Sequence, residues 1–136
     1  VKHIRNICKN ILSGIIPDTN NESPLLVSPI YGPGDEYRLF IVDGKIVSGS
    51  QYSPKESVSI PEIVYNFAYE VLKKWNPVPF FILDICISNG NPYIMEIQNF
   101  HSAGFYLSNL DNIVNSVSKY TENNFNGFLK NDQEII

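Results

Sequence analysis

Arginine is scarce in this 136-residue chain, with Arg5 and Arg38 the only two. Acids outnumber bases 14 to 10, for a formal net charge of −4. A face built on phosphate contacts needs clustered Arg and Lys, so the composition argues against a nucleic-acid partner. Cysteine is nearly as scarce. Cys8 and Cys86 both stand near isoleucines and read as buried thiols of a reducing compartment, not as a disulfide framework or a zinc site. No apolar run approaches the ~20 residues of a membrane span, and no signal peptide is visible. A cytoplasmic protein without a membrane partner is therefore expected. No Gly-rich phosphate loop of the Walker or dinucleotide type occurs, and no Ser/His/Asp or Cys/His arrangement stands out.

What is present is enough for a folded domain. Hydrophobic residues make up 43% and aromatics 12% of the chain, which excludes a disordered chain. The length fits one domain over 1–136, within the usual range of roughly 100–150 residues. A chain of this size buries about 68–70% of its unfolded surface, so it needs no disulfide or metal to hold a core. The sequence begins at Val1 instead of a methionine, and the expectation is that it is part of something longer.

Hydrophobic periodicity supplies the elements. Ile4, Ile7, Cys8, Ile11 and Leu12 form the apolar stripe of a helix over 2–13. Leu25 to Tyr31 reads as a short strand, broken by Gly32-Pro33-Gly34. Runs from Glu36 to Val42 and from Lys45 to Gln51 flank Asp43-Gly44, a strong hairpin signal. Tyr37, Leu39 and Ile41 fall on one face of the first run; Arg38, Phe40 and Val42 fall on the other. Ser59-Ile60-Pro61 opens a helix, with Ser59 near the N-cap and Pro61 in the first turn. Ile63, Val64, Phe67, Val71 and Leu72 form its buried face, and Asn76-Pro77 stops it. Phe80 to Ile87 and Tyr93 to Ile97 are strands joined by Ser88-Asn89-Gly90-Asn91. Ser108 can cap a last helix bearing Leu110, Ile113, Val114 and Val117, with Phe125, Phe128 and Leu129 extending it by a turn or two. The order α-β-β-β-α-β-β-α predicts the α+β class: a largely antiparallel sheet with helices packed on one face.

Two carboxylates are the most informative feature. Asp84 interrupts Phe-Phe-Ile-Leu-Asp-Ile-Cys-Ile, and Glu96 interrupts Pro-Tyr-Ile-Met-Glu-Ile. An ionised acid in an apolar strand is costly unless it is paired or holds a metal. With Gly90 as the turn centre, the two lie opposite each other across the hairpin. No Lys or Arg occurs between Lys74 and Lys119, so no base nearby in sequence neutralises them. A hard divalent cation would; the alternative places each acid on a solvated strand face. Gln98, two residues beyond Glu96, points the same way and could add an amide oxygen. Arg38 could grip a phosphate with its fork, or could pair with a neighbouring acid such as Glu36. His101 and Ser102 lie in the loop that follows Glu96. His101 could be an acid or base, or a hydrogen-bonded side chain only.

Three segments occur in order: Glu36-Tyr37-Arg38-Leu39-Phe40-Ile41-Val42-Asp43-Gly44-Lys45-Ile46-Val47, then Leu83-Asp84-Ile85-Cys86, then Tyr93-Ile94-Met95-Glu96-Ile97-Gln98-Asn99-Phe100-His101-Ser102-Ala103-Gly104-Phe105-Tyr106. Together they resemble the C-terminal half of an ATP-grasp domain, and in particular the small ATP-grasp proteins of bacteria and phages. The resemblance covers about Leu25 to Ser118. It implies ATP and Mg²⁺ as cofactors. Asp84 and Glu96 would hold the metal, with Gln98 at the position the family gives to Asn. Arg38 would contact phosphate or the acyl-phosphate, and Glu36 would face the nucleotide. The strand around Val27, Ser28 and Ile30 would hold adenine. His101 and Ser102 would line the acceptor side.

The reaction implied is activation of a small-molecule or peptide carboxylate as an acyl phosphate, followed by attack of an amine. The family's N-terminal subdomain, which carries the phosphate-clamping lysines, is not recognisable in residues 1–24. The chain is therefore expected to be such a ligase or its C-terminal portion, completed by a missing N-terminal segment or a partner chain. The competing expectation is a non-catalytic module that binds a nucleotide or a partner on the same scaffold. A third is an α+β domain with structural acids.

Overall fold

The computed structural model describes residue 32 and residues 34–131. The expected helix over 2–13 and strand Leu25–Tyr31, and with them Cys8, Val27, Ser28 and Ile30, lie outside the described residues.

Strands β1 (Glu36–Val42) and β2 (Lys45–Ser53) form the first expected hairpin. Asp43 and Gly44 turn it with φ of 51° and 70°, the left-handed pair that matches the twist of a two-residue hairpin. Strands β3 (Phe80–Ser88) and β4 (Asn91–Gln98) form the second, turned by Asn89 and Gly90 with φ of 51° and 77°. β1 and β3 pair antiparallel, so the sheet runs β2-β1-β3-β4. Helix α1 (Glu62–Lys74) links the hairpins; helix α2 (Leu110–Asn131) follows β4 after a 3-10 turn at Phe100–Ser102. The α+β class and the antiparallel sheet are as expected. Among the described residues, no helix is long and apolar enough to cross a membrane.

The helices do not share one face. Tyr37, Leu39, Ile41, Phe81, Leu83 and Ile85 pack with Val64 and Ala68 of α1. Phe40 and Ile82, which point the opposite way, pack with Ile113 of α2. The reason lies in the two central strands, which are buried along nearly their whole length. A sheet with one wet face shows apolar–polar alternation. β1 and β3 are apolar on both sides, so each side needs a cover. Fully burying each large apolar side chain contributes roughly 1.5–3 kcal/mol, which makes both clusters substantial.

The helix starts also differ from expectation. Pro61 is the N-cap of α1, in extended conformation and without a side-chain cap. Ser59 instead donates its N–H to Ser57 Oγ at 3.1 Å. Proline disfavours helical geometry in the residue before it, which keeps residue 60 out of the helix. The buried stripe of α1 centres on Val64 and Ala68, with Phe67, Val71 and Leu72 partly buried and Ile63 exposed. Asn109, not Ser108, caps α2: its Oδ1 accepts the Asn112 N–H at 2.9 Å. Ser108 is buried and lies 3.3 Å from the Ser50 hydroxyl. Ser48 Oγ accepts the Asn109 N–H at 2.7 Å. Two serines of β2 thus dock the start of α2.

Gly49 allows β2 to lie against β1. A Cβ there would sit 2.6 Å from the Arg38 carbonyl oxygen and 2.6 Å from Leu39 Cδ2. Overpacking of this kind costs about 1–3 kcal/mol. Gly49→Ala should lower the urea midpoint accordingly with an unchanged slope; equal stability of the two proteins would contradict this packing.

Candidate functional site

Asp84 is 1% exposed in the middle of β3. A bare carboxylate there is untenable. Its partner comes from β1, where Arg38 stands directly across the ladder. Arg38 Nε donates to Asp84 Oδ1 at 2.9 Å, and its Nη2 donates to Oδ2 at 2.7 Å. This is a bidentate fork, the strongest form of carboxylate recognition. Arg38 Nη1 donates to the Gly104 carbonyl at 3.1 Å. The guanidinium lies 5.4 Å from the Tyr52 ring centroid and 5.2 Å from that of Tyr106, and those rings stack 5.1 Å apart. Cation–π contact adds to the ion pair. The Asp84 hydrogen bonds raise the Arg38 pKa further, outweighing its burial. Two sequence expectations change here. A base does neutralise Asp84, 46 residues away in sequence. Arg38 pairs with Asp84, while Glu36 accepts the Tyr52 hydroxyl at 2.7 Å. Burial and that hydrogen bond hold the Tyr52 phenol proton well above the ordinary tyrosine range.

Glu96 is opposite Asp84, as expected, but for an added reason. The two-residue turn pairs Ser88 with Asn91 and Ile85 with Ile94. Continued without interruption, that register would set Met95 opposite Asp84. A β-bulge between Asp84 and Ile85 shifts it by one residue. Bulges re-aim side chains in this way. Directly opposed residues share a face, so Asp84 and Glu96 lie on the α2 side of the sheet, with Gln98 opposite Ile82. Gln98 Nε2 donates to Asp84 Oδ2 at 3.3 Å. Glu96 is exposed on the edge strand, and among the described residues it has no hydrogen-bond or ion-pair partner.

The loop after β4 closes one side. Phe40 meets Phe100 edge-on and stacks with Phe105, with centroids 5.4 Å apart in each case. These contacts hold the loop against the sheet. His101 is exposed in the 3-10 turn, and the backbone of Ser102 completes that turn. Tyr106 takes φ of 49°, a left-handed conformation uncommon for a non-glycine residue. Sequence reasoning missed Tyr52 and Tyr106 as the walls around Arg38. No local signal marks them: the register shifts between Glu36↔Ser53 and Tyr37↔Gln51, leaving Tyr52 as an extra residue of β2, and the loop after β4 brings Tyr106 to it.

The donor set suits a hard cation. Magnesium takes one or two carboxylates and completes its shell with water or phosphate oxygens. Glu96 offers a carboxylate opposite Asp84 that is unpartnered among the described residues. Asp84 accepts three hydrogen bonds, which leaves about one of a carboxylate's four lone-pair positions. No group of three or more His, Cys, Asp or Glu that could hold a metal occurs among the described residues, so phosphate or water oxygens would have to complete the shell. Breaking a buried ion pair costs about 3–5 kcal/mol, whereas replacing both partners by apolar residues is often neutral. Asp84→Leu alone and Arg38→Met alone should therefore destabilise strongly, and the two together far less than their sum, in a urea double-mutant cycle. Additive losses would refute a coupled pair.

The family described as ATP-grasp domain, R2K clade family 3, matches residues 12–117. No curated protein sequence matches. Among solved structures, the D-alanine–D-alanine ligase of Bacillus anthracis complexed with ATP is similar over 51% of this chain and 26% of its own, with 24% identity and a TM-score of 0.42. The ATP-grasp ligase PsnB, complexed with precursor peptide PsnA2 and AMPPNP, is similar over 56% and 25%, with 16% identity and a TM-score of 0.42. The chain thus spans about a quarter of the length of either ligase.

Proposed function

The chain belongs to the ATP-grasp domain family, R2K clade family 3, and from that premise we propose that it is an ATP- and Mg²⁺-dependent carboxylate–amine ligase or the C-terminal portion of one. The observation that carries this reading is the register that sets Asp84 opposite Glu96 on one face, with Gln98 bonded to Asp84. In this reading Glu96 and Asp84 hold Mg²⁺ and Gln98 assists. The cation supplies charge neutralisation for nucleotide phosphates. Arg38 stabilises charge on the transferring phosphoryl group. Glu36 would serve the nucleotide, and His101 would serve the acceptor. The γ-phosphoryl group passes from ATP to the substrate carboxylate with release of ADP. The amine then attacks the acyl carbon, phosphate leaves, and an amide remains.

One observation favours a second reading, a non-catalytic binding module. Arg38 is already committed to Asp84 and Gly104, which leaves few N–H groups for a phosphate. Amide formation with stoichiometric ADP release separates the two readings.

The metal reading is tested away from the buried pair, because Asp84 variants lose stability first. At a hundredfold excess over Kd, Mg·ATP should stabilise the chain by about 2.7 kcal/mol. Glu96→Gln replaces an exposed carboxylate and should change intrinsic stability by less than about 0.5 kcal/mol. It should nevertheless remove the Mg²⁺-dependent part of the thermal shift. An unchanged shift in Glu96→Gln would exclude the metal role.

A further inference from the structure

The Arg38 guanidinium does four things at once. It forks onto Asp84, donates to Gly104 and lies close to the rings of Tyr52 and Tyr106. Two of these partners, Gly104 and Tyr106, belong to the loop between β4 and α2. The other two belong to the sheet. Arg38 therefore ties the carboxylate that faces Glu96 to the loop that carries His101 and Ser102.

A cation on Asp84 and the guanidinium on Asp84 are alternatives. Both of the shorter Asp84 hydrogen bonds go to Arg38. A divalent ion bound there would face a full positive charge at ion-pair distance, in a buried setting where such repulsion is weakly screened. Resting on the metal reading above, we propose that Arg38 is an internal counter-ion that a divalent cation displaces from Asp84, with release of the loop at Gly104 and Tyr106. Tyr106 is then a positioning residue. Its half-exposed ring holds the guanidinium on Asp84 and so weakens cation binding. An anion that accepts the freed guanidinium, such as a nucleotide phosphate, completes the exchange. Metal and phosphate enter as a linked pair.

The scarcity of arginine makes the exchange observable. Arg5 and Arg38 are the only arginines, so the Arg38 Nε–H signal in a ¹⁵N spectrum is assignable with Arg5→Lys. Titration uses Mg²⁺ alone, followed both by that signal and by thermal shift. In the wild-type chain the Nε–H signal should move saturably with the affinity that thermal shift reports. Tyr106→Leu should bind Mg²⁺ roughly two- to fivefold more tightly, the equivalent of one exposed cation–π contact. Tyr106→Phe, which keeps the ring face, should restore wild-type affinity. Arg38→Lys keeps the charge but loses the fork, and should tighten Mg²⁺ binding beyond Tyr106→Leu. Tyr106 is at the surface, so its variants test the proposal even where Arg38→Lys fails to fold. Saturable Mg²⁺ binding with an unmoved Nε–H signal, or equal affinity in wild type and Tyr106→Leu, overturns the exchange and leaves the metal reading standing. Binding of neither Mg²⁺ nor Mg·ATP to any of the proteins overturns both.

Discussion

Asp84 can occupy the centre of β3 only because Arg38 stands opposite it on β1. Both residues are almost fully buried, and neither tolerates that position alone. The rest of the site is arranged around this pair. Two tyrosines wall the guanidinium, a loop carbonyl takes its third nitrogen, and Gln98 takes a place on the carboxylate. The pair sits on the α2 side of the sheet. There Phe40 and Ile82 pack under Ile113, and Phe100 and Phe105 hold the loop down.

The two acids are opposed in register but differ in environment. Asp84 is central and neutralised; Glu96 is on the edge strand and exposed. Water screens Glu96, which removes the need for a protein counter-charge. Among the described residues, one carboxylate is thus unpaired, while the second is held by Arg38. This asymmetry gives family membership a specific physical form. In the proposed function a metal-bridged phosphate would sit here, and by the cation exchange proposed above Arg38 would control access to it.

Much of the fold is readable from short-range chemistry. Asp43-Gly44 and Asn89-Gly90 mark both hairpins, and a two-residue period places Tyr37, Leu39 and Ile41 on one face. The pairing of Asp84 with Glu96 does not follow from the two-residue turn, which would oppose Asp84 to Met95; a bulge that leaves no clear trace in sequence creates it. The helix boundaries are less readable. Ser59 and Ser108 are good caps in isolation, but Pro61 and Asn109 take those roles because proline restricts its predecessor and Ser108 is bonded to Ser50. One-sided packing of the helices was a reasonable reading of an antiparallel sheet. Two central strands that are apolar on both sides overrule it.

Within the described residues, local sequence was enough for the strands and helices, both hairpin turns and one costly acid, Asp84, in an apolar strand, because these depend on residues a few positions apart. It also determined that phosphate-binding bases would be few. Tertiary structure alone decided the fate of Asp84. The β1–β3 pairing joins residues 46 apart, and no local pattern states which two hairpins meet or in what register. That pairing makes Arg38 the counter-ion of Asp84, the acid expected to hold the metal.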